Sequence, residues 1–249
     1  MTDTLRMYDE LAPWWPVLSA PSDYEEEATF YARAMQAAAT GPLRQVLELG
    51  SGGGNNASHM KALFDLVLVE PSSGMRAVSQ SLNPDCEHVA GDMRTARLGR
   101  QFDGVFIHDA ICYMTSEADL QRAIETAFVH CRPGGVALFA PDHVTETFAA
   151  TTDCGGHDDG NRGLRFVAWT WDPDPGDSTY TVDYAFLLRS PDGAVRVEHD
   201  RHIEGLFSRA TWLQLLAEAG FAARVVPFDH SELEPGSYEL FVATKPSDR

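Results

Sequence analysis

The stretch VLELGSGGGNN, residues 46–56, constrains this 249-residue chain more than any other. An apolar run meets a glutamate, and four glycines follow within five positions. A continuous apolar run marks a strand buried on both faces, as in a parallel sheet covered by helices. Glycines massed directly after such a strand let a ligand lie against bare backbone. A strand, a glycine loop and a helix in succession place that ligand at the carboxyl end of the strand.

Helical and strand-like segments alternate through the first 140 residues. ATFYARAMQAAA (28–39) reads as helix and RQVLELG (44–50) as a buried strand. Asn55 or Asn56 can cap the next helix, ASHMKALF. LVLVEP (66–71) is a second strand, ended by Pro71, and SSGMRAVSQSL is a helix opened by serines. CEHVAGD (86–92) and FDGVFIHD (102–109) are the third and fourth strands. SEADLQRAIETAFVHC (116–131) is a long helix stopped by PGG, and VALFAPD (136–142) is the fifth strand. The fold class is therefore α/β, a doubly wound and mainly parallel sheet with helices on both faces.

The pattern then changes. Residues 143–163 read as a polar loop. RFVAWTW (165–171), TYTVDYAFLL (179–188) and VRVEHDRHIEGLF (195–207) follow with no helix between them. The links DPDPGD and SPDG are turn chemistry, so this part reads as an antiparallel insert. SRATWLQLLAEAG (208–220) returns to helix, with Ser208 as N-cap and Gly220 as its stop. Trp169 and Trp171 share one strand face by period two. With Trp14 and Trp15 they could wall an acceptor pocket, or else pack in the core or at a dimer contact.

The formal net charge is −18. That field repels polyphosphates, so nucleic acid and anionic membrane surfaces are poor partners. No apolar run reaches the roughly 18 residues of a membrane helix, and MTDTLRMYDELAPWW lacks the pattern of a secretion signal. Cys86, Cys112, Cys131 and Cys154 form no CxxC pair. They read as reduced thiols of a cytoplasmic protein.

Two ligand classes compete for the glycine loop. Dinucleotides use G-x-G-x-x-G, and here Gly50 and Gly52 fit while Asn55 stands third. Glu48 opposes a pyrophosphate by Coulomb repulsion. S-adenosylmethionine carries a sulfonium and an α-ammonium and no phosphate, and gains from the same carboxylate. Glu70, 22 residues later, can accept both ribose hydroxyls. In GDM (91–93) Asp92 can take the adenine amino group, and the N–H of Met93 can donate to the ring.

These residues resemble the class I S-adenosylmethionine-dependent methyltransferases. LELGSGGGN matches the family's glycine motif, Glu70 its ribose acid, GDM its adenine motif and CRPGGVALF the turn before its fifth strand. The resemblance covers roughly residues 40–145 and the terminal AGF…YELFVATK pattern. It implies a seven-stranded sheet with an antiparallel last strand, with strands six and seven at 221–228 and 238–246. It implies one domain over 1–249, a helical lid over 1–40, and an insert over 143–207 that covers the substrate. YDELAPWW resembles the family's lid segment, with Tyr8 and Tyr24 as lid contacts. The expected cofactor site holds Tyr8, Glu48, Gly50, Ser51, Gly52, Asn55, Glu70, Pro71, Met75, Gly91, Asp92, Met93 and His108.

Within the superfamily the layout resembles the amino-sugar N-methyltransferases and the glycine N-methyltransferase group, which allows a homodimer through the insert. It departs from the amino-sugar enzymes after strand four, where HDAICYM stands. The implied function is methyl transfer to a small-molecule acceptor through N, O or C. His143 or His108 would be the base, since His accepts protons near pH 7, and Asp109 or Tyr113 would orient the acceptor. Alternatively, His108, Asp109 and His143 could hold a metal that activates a keto acid or diol. A nicotinamide-dependent oxidoreductase and a non-catalytic cofactor-binding module are the remaining readings.

Overall fold

The computed structural model describes residues 5–231, 234 and 236–247. After three-residue 3-10 turns at Arg6–Tyr8 and Ala12–Trp14 come α1 (Trp15–Leu18), a turn at Pro21–Tyr24, and α2 (Glu25–Ala38). Five strands follow: β1 (Gln45–Leu49), β2 (Asp65–Glu70), β3 (Glu87–Ala90), β4 (Phe102–Ile107) and β5 (Cys131–Phe139). The helices α3 (Asn55–Met60), α4 (Ser73–Leu82) and α5 (Glu117–His130) lie between them in the chain. The insert contributes β6 (Thr151–Gly155), β7 (Asp158–Asp159), β8 (Arg162–Trp171), β9 (Thr179–Arg189) and β10 (Val195–Gly205). The chain then forms α6 (Arg209–Ala219), β11 (Ala222–Pro227) and β12 (Glu239–Thr244).

The main sheet has the order β11-β12-β5-β4-β1-β2-β3. β1 to β5 pair in parallel, and β12 enters antiparallel between β5 and β11. Successive strand residues supply opposite faces. Val46, Leu68, Phe106 and Leu138 pack with α2 residues Tyr31 and Met35. Leu47, Val105, Ile107 and Phe139 pack instead with Leu120 and Ile124 of α5 and Trp212 and Leu216 of α6. The seven-stranded α/β sheet expected from sequence is thus present. Its strand order reverses between β1 and β4, and a crevice opens there at the carboxyl ends.

Three local expectations change. Asn55 and Asn56 do not cap α3: the cap is Gly54, at φ +78° with no side-chain bond, and both asparagines lie inside the first turn. Their amides are drawn elsewhere, to the Ser19 carbonyl and the Glu27 carboxylate. The PGG segment lies inside β5, which starts at Cys131, because Gly134 at φ +76° lets the strand kink and pair again. Residues 143–163 are not all loop, since β6 and β7 pair with β8 there. Their threonines, aspartates and glycines hide the pattern. The second sheet runs β10-β9-β8-β6, antiparallel throughout.

At Gly50, φ is +74°, and an added Cβ would fall 2.4 Å from Ala110 Cβ and 2.7 Å from the Met93 methyl. Gly50→Ala is therefore expected to destabilise the fold by about 1–3 kcal/mol through overpacking. Thermal denaturation checks this, and an unchanged melting temperature would show that the loop yields.

Candidate active site

A cavity of about 660 Å³ occupies the crevice at the carboxyl ends of β1, β2 and β4. That volume is in the range of cofactor-sized sites. Of the thirteen residues expected to hold a cofactor, twelve line it: Tyr8, Glu48, Gly50, Ser51, Gly52, Asn55, Glu70, Pro71, Met75, Asp92, Met93 and His108. Gly91 does not. It stands behind the wall, its N–H directed at the Glu70 carbonyl and its Cα face against Val69.

The lid rests on the glycine loop. A Cβ on Gly53 would meet the Trp15 indole at 2.3 Å, so the ring lies flush on bare backbone there. Ser72 Oγ donates to the Tyr8 carbonyl. Tyr8, Trp15 and Tyr24 all face the cavity.

The two strand-end glutamates differ in kind. Glu70 accepts the N–H groups of Gly52 at 2.9 Å and Ser72 at 2.8 Å. Burial nonetheless raises its pKa. Glu48 is 3% exposed, and its Oε2 has no partner. Burial pushes it up to about 8, with His108 pulling the other way. Its charge is therefore not a standing feature, as the sequence argument assumes. Glu48 is largely neutral near pH 7, and an entering cation would hold it ionised. Asp92 keeps a low pKa because Arg94 grips its carboxylate. Ser51 Oγ, also buried, has no partner either.

A second cavity of about 340 Å³ adjoins the first, and Tyr8, Trp15, Tyr24, Asp109 and Tyr113 belong to both. Its other walls come from the insert and the end of β5. Asp142, Asp153 and Glu204 bring carboxylates, and Phe166, Tyr180 and Tyr184 bring rings. Among the described residues no Lys or Arg lines it. Trp169 and Trp171 are not among its walls. β8 turns Phe166, Ala168 and Thr170 inward, while Trp169, 52% exposed, stacks on Trp171 on the outer face.

His108 Nε2 is 2.8 Å from Asp109 Oδ1 and 3.6 Å from Glu27 Oε1. Burial lowers its pKa, but Asp109, Glu27 and Glu48 outweigh that and raise it to about 9. His108 is thus an imidazolium at neutral pH and has no lone pair to offer. His143 opens on the second cavity and packs edge-on against Phe148 and Tyr180, each 5.3 Å away. Burial lowers it to about 4, so it is neutral but a weak base. Asp142 is pushed well above the carboxylate range by burial and by the charge of Asp109. The three atoms needed for the metal alternative do not converge. Among the described residues the only grouping of three metal-type ligands is Cys112, Asp142 and Glu204. Glu27 and Glu204 escaped the sequence reading; each touches the site from a helix or insert strand with no motif of its own.

Residues 46–135 match the family model described as "Methyltransferase domain". With this fold and this site, the chain resembles the class I methyltransferases, and it is an enzyme that transfers methyl groups from S-adenosylmethionine. It is 28% identical over 230 residues to dTDP-3-amino-3,4,6-trideoxy-alpha-D-glucopyranose N,N-dimethyltransferase of Streptomyces venezuelae, covering 90% of this chain and 92% of that one. It is 26% identical over 213 residues to dTDP-3-amino-3,6-dideoxy-alpha-D-glucopyranose N,N-dimethyltransferase of Streptomyces fradiae, covering 82% of this chain and 80% of that one. The crystal structure of Streptomyces venezuelae DesVI superposes with a TM-score of 0.77 at 26% identity, covering 90% and 92% of the two chains.

Glu48→Gln removes an ionisable group whose pKa in the fold is about 8. A raised pKa means that stability is present below the unfolded value and lost as pH climbs through the folded one. The variant is expected to lose less stability than the parent between pH 5 and 9. It should also bind S-adenosylhomocysteine about 10- to 100-fold more weakly, the worth of one charge-assisted hydrogen bond. Denaturation against pH and calorimetric titration check the two halves.

Proposed function

We propose that the chain methylates an amine nitrogen on a small, hydroxyl-bearing acceptor of amino-sugar type. The observation that carries this is the second cavity, where the carboxyls of Asp109, Asp142, Asp153 and Glu204 meet a wall of tyrosines with no cationic side chain among them. Such a lining favours a cationic amine and supplies hydrogen-bond acceptors for hydroxyls. The relatives' names point the same way, toward amino-sugar nitrogens.

In this reading Gly50, Ser51, Gly52 and Asn55 carry the amino-acid portion of S-adenosylmethionine, with Glu48 facing its ammonium. The unpartnered Glu48 and Ser51 oxygens fit that group. Glu70 takes the ribose, and Pro71, Met75, Asp92 and Met93 frame the adenine. Tyr8 and the lid shut out water. When bound, S-adenosylmethionine supplies a methyl carbon made electrophilic by the adjacent sulfonium. Asp109, held ionised by the His108 imidazolium beside it, orients the amine. Positioning of this kind is the main catalytic demand of an in-line displacement.

The outer face of β8, β9 and β10 exposes Trp169, Leu187, Val197 and Ile203, and a homodimer through this face is part of the proposal. Among the described residues no helix is long and apolar enough to cross a membrane, and all four cysteines are free. Both agree with a cytoplasmic setting.

Incubation with S-adenosylmethionine and an amine panel, including dTDP-3-amino-3,6-dideoxyglucose and unphosphorylated amino sugars, tests the acceptor class by mass spectrometry. Gain of one or two methyl groups on nitrogen is expected, and Asp109→Asn should cut kcat/KM at least about tenfold, ~1.4 kcal/mol. Transfer to catechols or keto acids with none to amines would overturn the reading.

A further inference from the structure

An amine bound as an ammonium must lose a proton before its nitrogen can attack. Neither His108 nor His143 is suited to take it. Tyr113, which borders both cavities, is the outer end of a hydrogen-bond chain that leads into the insert. Its Oη lies 2.8 Å from His202 Nδ1, and His202 Nε2 lies 3.1 Å from Asp200 Oδ2. On the cavity side, Tyr8 Oη is 2.8 Å from Tyr113 Oη. His202 is 0% exposed and Asp200 6%. The Met7 N–H donates to Asp200 Oδ2 at 2.7 Å, so the lid pins the carboxylate.

The placement follows from the strand. Asp200, His202 and Glu204 alternate with the outward residues of β10, so all three face the site. The groups around the His202 ring are Asp200, Tyr113, Tyr8, Tyr184 at 4.9 Å between centroids, and Glu204, whose Oε1 is 3.8 Å from Nδ1.

We infer that Tyr113, His202 and Asp200 form the relay that takes the proton from the acceptor amine; this rests on the amine reading above. The ammonium proton passes to Tyr113 Oη as the phenol's own proton passes to His202 Nδ1. The electron pair of the broken N–H bond stays on nitrogen and forms the new C–N bond, while the C–S pair leaves with sulfur. Tyr113 ends as a neutral phenol, and His202 ends as an imidazolium whose Nε2–H is held by Asp200. Tyr113 does not itself store the proton deficit, because burial holds its pKa well above the usual phenol value. Tyr113 is the residue that touches the amine, and His202 and Asp200 are positioning residues behind it. Before the step, neutral His202 must carry its proton on Nε2, with Nδ1 accepting from Tyr113.

Two measurements on the full chain test this. Nitrogen-15 histidine spectra of the complex with S-adenosylhomocysteine need no acceptor, and a neutral His202 in the Nε2–H form is expected. An Nδ1–H form would overturn the relay. Kinetics with an amine acceptor from the panel come second. His202→Asn and Asp200→Asn are expected to lower kcat about 10²-fold or more near neutrality, with S-adenosylhomocysteine affinity retained. The deficit should shrink as pH rises past the acceptor's own ammonium pKa, where the amine arrives already deprotonated. A pH profile parallel to the parent's would overturn the relay. If no amine is methylated at all, the amine reading fails, and the spectra still decide whether the hydrogen-bond chain runs as stated.

Discussion

The crowding of carboxyl groups at one end of the sheet is the constraint on which the rest of the site depends. Glu27, Glu48, Asp109, Asp142 and Glu204 converge around the ends of β1, β4 and β5, and one imidazolium, His108, stands among the first three. Withdrawn acids cost free energy unless paired or neutralised. The chain meets that cost in two ways. Asp109 is ionised against His108, while Glu48 and Asp142 drift toward their neutral forms.

Topology explains why the cluster forms where it does. The strand order reverses between β1 and β4, so neighbouring strands send their crossovers to opposite faces and leave a gap above their carboxyl ends. Glu48 and His108 each lie at the edge of that gap. The N-terminal segment rests Trp15 on Gly53 at that gap, a contact that any side chain at 53 would block. The insert closes the far side with β8, β9 and β10. The two cavities thus share a boundary of Tyr8, Trp15, Tyr24, Asp109 and Tyr113.

What the sequence made legible follows from how each part is encoded. The cofactor side is local: Glu48, the glycines, Glu70 and Asp92 each sit at a strand end with a fixed relation to the next turn, so linear order predicts spatial order. The asparagine caps failed because Gly54, free to take a left-handed conformation, ends the loop one residue sooner. β6 and β7 escaped because nearly all their residues are exposed and polar and carry no apolar alternation. Trp169 and Trp171 were rightly placed on a shared face, but periodicity cannot say which side of a sheet meets a cavity. The histidines were judged as bases by residue type, whereas their proton affinities are set by burial and by the charges around them, adjacent Asp109 first and distant Glu27 second for His108. Glu27 lies 81 residues from His108 in sequence, and no spacing rule connects them.

The division of labour between the two sheets also bears on how such an enzyme changes its acceptor. The cofactor walls come from strand ends of the main sheet and are tied into its core by backbone bonds, as when Glu70 holds Gly52 and Ser72. Replacing one of them disturbs the loop as well as the ligand. The walls of the second cavity come in large part from β8 to β10, whose inward residues alternate with solvent-facing ones. A change at Phe166, Thr170 or Glu204 alters the second cavity while leaving the β1–β4 crevice untouched. The His202–Asp200 pair is one of several links that run from the insert back to the rest of the chain, here to Tyr113 and, through Met7, to the N-terminal segment.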